Sequence, residues 1–180
     1  MGALHYPANN GVDAVTTPDT VIVGAGQAGL EVSHYLQLNR RRHIVFERGR
    51  IGESWIAQRW DSFRLNTPNF MNVLPGVPYD GPEPDGFWRR DELVHYFQRY
   101  VEHFQLPVRT GVTVISVERT EDGERFIVDI KIDGQVEESV SSCSIVIASG
   151  IQQTPKYPPI RSRIPDNISQ LHTASYRCAT

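Results

Sequence analysis

The chain has 180 residues, of which 39% are hydrophobic and 22% charged, with a formal net charge of −3. This is an ordinary globular composition, long enough for one real core, and its slight negative charge gives no general attraction to nucleic acid or anionic membranes. No apolar run reaches the roughly 18 residues of a membrane helix. The start lacks a secretory pattern, and two cysteines, Cys143 and Cys178, make no disulfide framework, so a cytoplasmic, reduced setting is expected.

Residues 1–19 are polar, contain Pro7 and Pro18, and are expected to form a flexible leader. Thr20 to Val23 is a β-branched apolar run that suits a buried strand. Gly24, Gly26 and Gly29 then give the spacing G-x-G-x-x-G and open a helix that runs to about Asn39. In such a unit the first glycine allows the tight turn and the second lets a pyrophosphate approach the backbone. The third lets helix and strand pack closely. The helix N-terminus faces the phosphates with open N–H groups and the positive end of its dipole. A second apolar run, His43 to Phe46, ends on Glu47. An acid at that distance can accept hydrogen bonds from ribose hydroxyls. A glycine-rich turn with no ligand is the alternative reading.

Ala28, Val32 and Leu36 define the expected buried face of the first helix. Arg40, Arg41 and Arg42 follow and suit its negative C-terminal end. From Arg48 to Pro84 the sequence is rich in Gly, Pro, Asn and aromatics without a sustained period. A loop of that length in a compact domain is usually functional, and it is expected to line a ligand cavity, with Trp55 and Trp60 packed there or on the sheet edge. Asp91 and Glu92 mark a helix start, Leu93, Phe97, Val101 and Phe104 follow at helical spacing, and Pro107 stops the run. His95 and His103 are expected at its surface or at an interface.

Val112 to Val117 and Phe126 to Ile132 alternate as strands, joined through Glu121-Asp122-Gly123. Asp133-Gly134 signals a hairpin with the return strand from Gln135 to Val140. Ser144 to Ala148 is a last apolar strand ending in Ser149-Gly150, with Cys143 expected as a small buried residue beside it. A proline-rich stretch, Pro155 to Pro165, and the tail QLHTASYRCAT complete the chain.

This order of elements predicts an α/β Rossmann-like FAD-binding domain with three layers, in which an antiparallel β-meander accompanies the parallel sheet. The adenosine end of FAD is assigned to Gly24 through Glu47. No cysteine pair follows the second strand, which disfavours dithiol chemistry. No metal-spaced Cys/His cluster and no Ser-His-Asp pattern stand out.

The blocks GAGQAG, FERGRIGESW, RWDSFRLNTPN, LPGVPYDG, VIASG and QLHTASYR together resemble the N-terminal part of flavin-containing monooxygenases, of the bacterial and YUCCA-like kind. The resemblance covers nearly all of Thr20 to Arg177. It implies FAD held by Gly24, Gly26, Gly29 and Glu47, with Gln27, Ala28 and Arg48 beside them. It adds contacts from Ser54, Trp55 and the backbone of Val114, and from Ser149 and Gly150 where the chain crosses toward an NADPH-binding region. Asn66 matches the family asparagine near the flavin ring. His172 and Tyr176 match the end of the F-x-G-x-x-x-H-x-x-x-Y signature, in which Asp166 and Ile168 stand where Phe and Gly are usual. Ser149 stands where Thr is usual.

In the family, NADPH reduces FAD, molecular oxygen adds to the flavin, and the hydroperoxide oxygenates a small substrate. The expected divisions are a leader over 1–19, an FAD-binding domain over 20–150, and over 151–180 a linker and the start of an NADPH-binding domain. Family members continue for hundreds of residues, so the chain looks like the front portion of such an enzyme. A catalytically inactive nucleotide-binding module and an NAD-binding dehydrogenase domain stay open as alternatives, as does self-association.

Overall fold

The computed structural model describes residues 17–134, 136–150 and 154–178. Most of the expected leader therefore lies outside the described residues. The elements are β1 (Thr20–Val23), α1 (Gln27–Leu38), β2 (His43–Glu47), α2 (Glu53–Ala57), α3 (Arg90–Phe104), β3 (Val108–Thr110), β4 (Val112–Arg119), β5 (Phe126–Ile132), β6 (Val136–Ser142) and β7 (Ser144–Ile147). No helix among the described residues is long and apolar enough to cross a membrane.

Four strands form a sheet in the order β3-β2-β1-β7, with each pair parallel. β4, β5 and β6 form a separate antiparallel meander. The alternation of side chains along a strand explains the three layers. On β1, Ile22 faces the helices and packs with Leu30, Val45, Phe97 and Tyr100. Its neighbour Val21 faces the meander with Phe46, Val112, Val128 and Ile130. Val21 and Ile22 are both fully buried; burying an aliphatic side chain of this size contributes about 1.5–3 kcal/mol. The α/β architecture with its meander agrees with the sequence expectation.

The meander turns where the sequence places it. Asp133 and Gly134 both take positive φ, 47° and 74°, as a tight hairpin turn requires. α3 begins with Glu92 accepting from the backbone N–H of Arg89 at 2.7 Å, half of a capping box. β3 is an element the sequence reading does not contain. It is three residues long and pairs with β2 through Val45 and Val108. Gly111, at φ 73°, then redirects the chain into β4.

Four further expectations need correction. On α1 the residues Gly29, Leu30, Ser33 and His34 are buried, and Val32 and Leu36 pack half-buried on the same core as expected, but Ala28 is exposed; Gly29 faces the strand and sets the phase of the helix. The arginines after α1 act by separate means. Arg40 takes the left-handed conformation at φ 53°, and the Arg40 and Arg41 N–H groups close the last turn on Gln37 and Leu36, a Schellman arrangement. Arg42 instead pairs with Asp19 at 2.7 Å, and this guanidinium holds the Asp19 carboxyl below its usual range. Cys143 is exposed, with Arg125 Nη1 3.4 Å from its Sγ. The 48–84 segment does not act as one cavity wall. Its later part is bound to α3, where Leu74 N–H donates to Tyr96 Oη at 2.7 Å and Tyr100 Oη donates to the Pro75 carbonyl at 2.7 Å.

Candidate functional site: the cleft at the first βα bend

The three glycines of the bend have different surroundings. Gly24 has φ 105°, and a Cβ there would lie 2.6 Å from the Ala148 carbonyl oxygen. A Cβ on Gly29 would lie 1.9 Å from the Gly24 carbonyl oxygen. These two glycines allow β1, α1 and the end of β7 to meet. A Cβ on Gly26 would meet nothing within 4 Å, so the bend is bare at this point and open to the cleft. α1 starts there with no side-chain cap and no acid in its first turn.

Glu47, at the end of β2, is 9% exposed. Its Oε2 accepts from the Ala25 N–H at 2.8 Å and its Oε1 from the Gly49 N–H at 2.9 Å. The carboxylate therefore braces the bend and points at it. A carboxylate has about four lone-pair positions, so two backbone donors leave room for further donors. The Ala25 carbonyl accepts from the Gly52 N–H at 3.1 Å, which ties the bend to α2. Gly52 caps α2 at φ 70°.

Around the bend lies a cleft of about 970 Å³. Eleven of the twelve cofactor residues named from the sequence line it: Gly24, Gly26, Gln27, Ala28, Glu47, Arg48, Ser54, Trp55, Val114, Ser149 and Gly150. The twelfth, Gly29, is buried beneath the bend. Asn66 is exposed on the loop after Leu65 and is not part of this lining. Gln58, Arg59 and Thr113 also line the cleft, and the sequence alone did not single them out. The Arg59 guanidinium lies 5.2 Å from the Trp55 ring centroid and 5.6 Å from that of Phe63, within the range of a cation–π contact. Trp60 stands edge-on to Phe63, with centroids 4.8 Å apart.

The cleft is thus a bare backbone bend and a helix N-terminus at its centre, an acid with an apolar meander edge on one side, and an aromatic and cationic wall on the other. The pyridine nucleotide-disulphide oxidoreductase family model matches residues 21–177.

The chain belongs to that family.

Its relatives include the oxidoreductase CzcO of Bacillus subtilis, 34% identical over 160 residues that cover 88% of this chain and 44% of that protein. Indole-3-pyruvate monooxygenase YUCCA4 of Oryza sativa is 28% identical, over 97% of this chain and 42% of its own length. A flavin-containing monooxygenase from Stenotrophomonas maltophilia shares the fold, with a TM-score of 0.66 at 24% identity over 78% of this chain and 41% of that one. The resemblance to flavin-containing monooxygenases is therefore met by actual relatives. The chain spans less than half the length of each. The family's description includes disulphide chemistry, yet the described lining of the cleft contains no cysteine.

Proposed function

We propose that residues 20–150 bind FAD and that the chain is the flavin-binding section of an NADPH-dependent monooxygenase acting on a small organic substrate, with molecular oxygen as co-substrate in the cytoplasm. The observation that carries this reading is the open backbone at Gly26 beside the braced Glu47 carboxylate. The residues present suit the cofactor. A diphosphate finds bare peptide N–H groups at the start of α1, a ribose finds Glu47, and an adenine finds the apolar edge at Val112 and Val114. The remaining length of the cleft, along Ser54, Trp55 and Arg59, suits a flat conjugated ring system. A volume of about 970 Å³ lies at the upper end of the roughly 300–1,000 Å³ of small-molecule sites, as a dinucleotide demands.

When bound, FAD supplies the transfer of electrons from NADPH to oxygen; the protein binds, orients and shields it. Gly26 admits the diphosphate, Glu47 fixes the sugar, and Trp55 with Arg59 excludes water from the ring end. Asn66, outside the cleft lining, is carried over from the resemblance alone as a hydrogen-bonding group near the reactive flavin edge or the substrate, and residues 151–180 as the crossing toward an NADPH-binding region. The test is a titration of the purified chain with FAD and, separately, with NADH. Saturable one-to-one FAD binding is expected. Tight NADH binding without affinity for FAD overturns the reading.

A further inference from the structure

The segment at residues 172–178 folds back onto α2, although it follows β7 by more than twenty residues. Arg177 donates from Nη1 to the Arg59 carbonyl at 2.9 Å and from Nη2 to the Ala57 carbonyl at 2.5 Å. Arg90, the first residue of α3, donates from Nη1 to the same Arg59 carbonyl at 2.8 Å and pairs through Nη2 with Asp61 at 3.0 Å. The Asp61 N–H in turn donates to the Arg177 carbonyl at 2.9 Å, and the Tyr176 ring lies 6.5 Å from that of Trp60. The Ala57 carbonyl is one that a helix leaves without an internal partner at its C-terminal end, and the Arg59 carbonyl lies just beyond the Gln58 cap of α2. The backbone at Ala57 and Arg59 is therefore held by two guanidinium groups, while Trp55, Gln58 and Arg59 line the cleft.

We infer that Arg177 is a positioning residue for the ring-side wall of the cleft. It fixes the backbone from which Trp55, Gln58 and Arg59 enter the site, and so gives the segment after β7 control over that wall. The inference rests on the FAD reading of the cleft. One planar fork spans the two carbonyls in a preset geometry, whereas a lysine ammonium is a point charge on a flexible stem that holds such a pair less firmly. Arg177 is itself exposed, so replacing it opens no core.

FAD and ADP separate the two ends of the site, because ADP reaches the bend and Glu47 but carries no ring system for the α2 wall. Both are titrated calorimetrically into the wild-type chain, Arg177→Ala and Arg177→Lys. The expected result is a loss of about tenfold in FAD affinity for Arg177→Ala, the scale of a charge-assisted hydrogen bond, with ADP affinity unchanged and partial recovery in Arg177→Lys. Equal loss for both ligands makes Arg177 a general structural residue and overturns the inference. Unchanged FAD affinity in Arg177→Ala overturns it alone, leaving the flavin reading intact. A wild-type chain that binds ADP but not FAD overturns the flavin reading and takes this inference with it.

Discussion

Gly26→Ala and Gly29→Ala place the same methyl group three residues apart, and the structure assigns them opposite outcomes. At Gly26 the backbone is extended, φ −89° and ψ −171°, and the new Cβ meets nothing within 4 Å. Alanine is a poorer N-cap than glycine by about 0.5–1 kcal/mol, but it reduces unfolded-state entropy by an amount worth about 0.4–1 kcal/mol. Stability is therefore expected to stay near that of the wild type. Binding is a different matter, because the methyl occupies the face by which a diphosphate reaches the peptide N–H groups. Losing two charge-assisted hydrogen bonds at about 1.5–3 kcal/mol each weakens FAD binding by roughly two to four orders of magnitude. At Gly29 the Cβ would lie 1.9 Å from a backbone carbonyl oxygen. Helix and strand must separate, at a cost of about 3 kcal/mol or more. Urea unfolding followed by circular dichroism, together with FAD titration by fluorescence, reads both quantities. Retained FAD affinity in a folded Gly26→Ala protein, or a Gly29→Ala protein as stable as the wild type, refutes the reasoning.

Three further outcomes are expected. Glu47→Gln keeps one acceptor oxygen for two backbone donors, so either Ala25 or Gly49 loses its partner; urea denaturation should show a loss of about 1–3 kcal/mol, and equal stability would show that the brace contributes nothing. Arg40→Gly removes a non-glycine residue from φ 53°; the left-handed penalty of about 1–2 kcal/mol exceeds the added unfolded-state entropy of about 0.5–1 kcal/mol, so the melting temperature should rise, and a fall would contradict the Schellman reading. Burial lowers the pKa of His34 below its ordinary 6.5, with its ring 4.2 Å from Phe104 and 5.6 Å from Tyr100. The neutral form is favoured in the fold, so its contribution is fully present above about pH 6.5 and is lost as pH falls from there through the folded pKa. Stability measured between pH 7 and pH 5 should fall less steeply in His34→Phe, and an unchanged slope would place the titration elsewhere.

The frame of the fold was legible because its signals are local. The β-branched run before Gly24 and the glycine spacing mark the first βα unit, and Asp133-Gly134 marks the hairpin through the positive φ both residues adopt. What escaped depends on contacts between distant residues. β3 is a strand because Val108 pairs with Val45; three residues carry no periodicity of their own. On α1, Val32 and Leu36 pack on the core as their spacing indicates, but Ala28 is exposed, since the pattern of apolar residues does not show that Gly29 must touch Gly24. Cys143 borders an apolar strand in sequence but lies at its solvent end. Arg59 enters the cleft wall on a backbone held by Arg177, 118 residues away, and no spacing rule reaches that far. The acid at Glu47 is legible from its distance to the glycines, whereas its grip on the Ala25 and Gly49 N–H groups is visible only in three dimensions.

The most direct test of the central claim follows the backbone amides of the uniformly labelled chain by two-dimensional nuclear magnetic resonance as FAD is added. The largest shifts are expected at Gly26, Gln27 and Ala28, with smaller ones along Trp55 to Arg59. Shifts confined to another face, such as the shallow groove beside Met71 and Val73, or no shifts at all at saturating FAD, would contradict it.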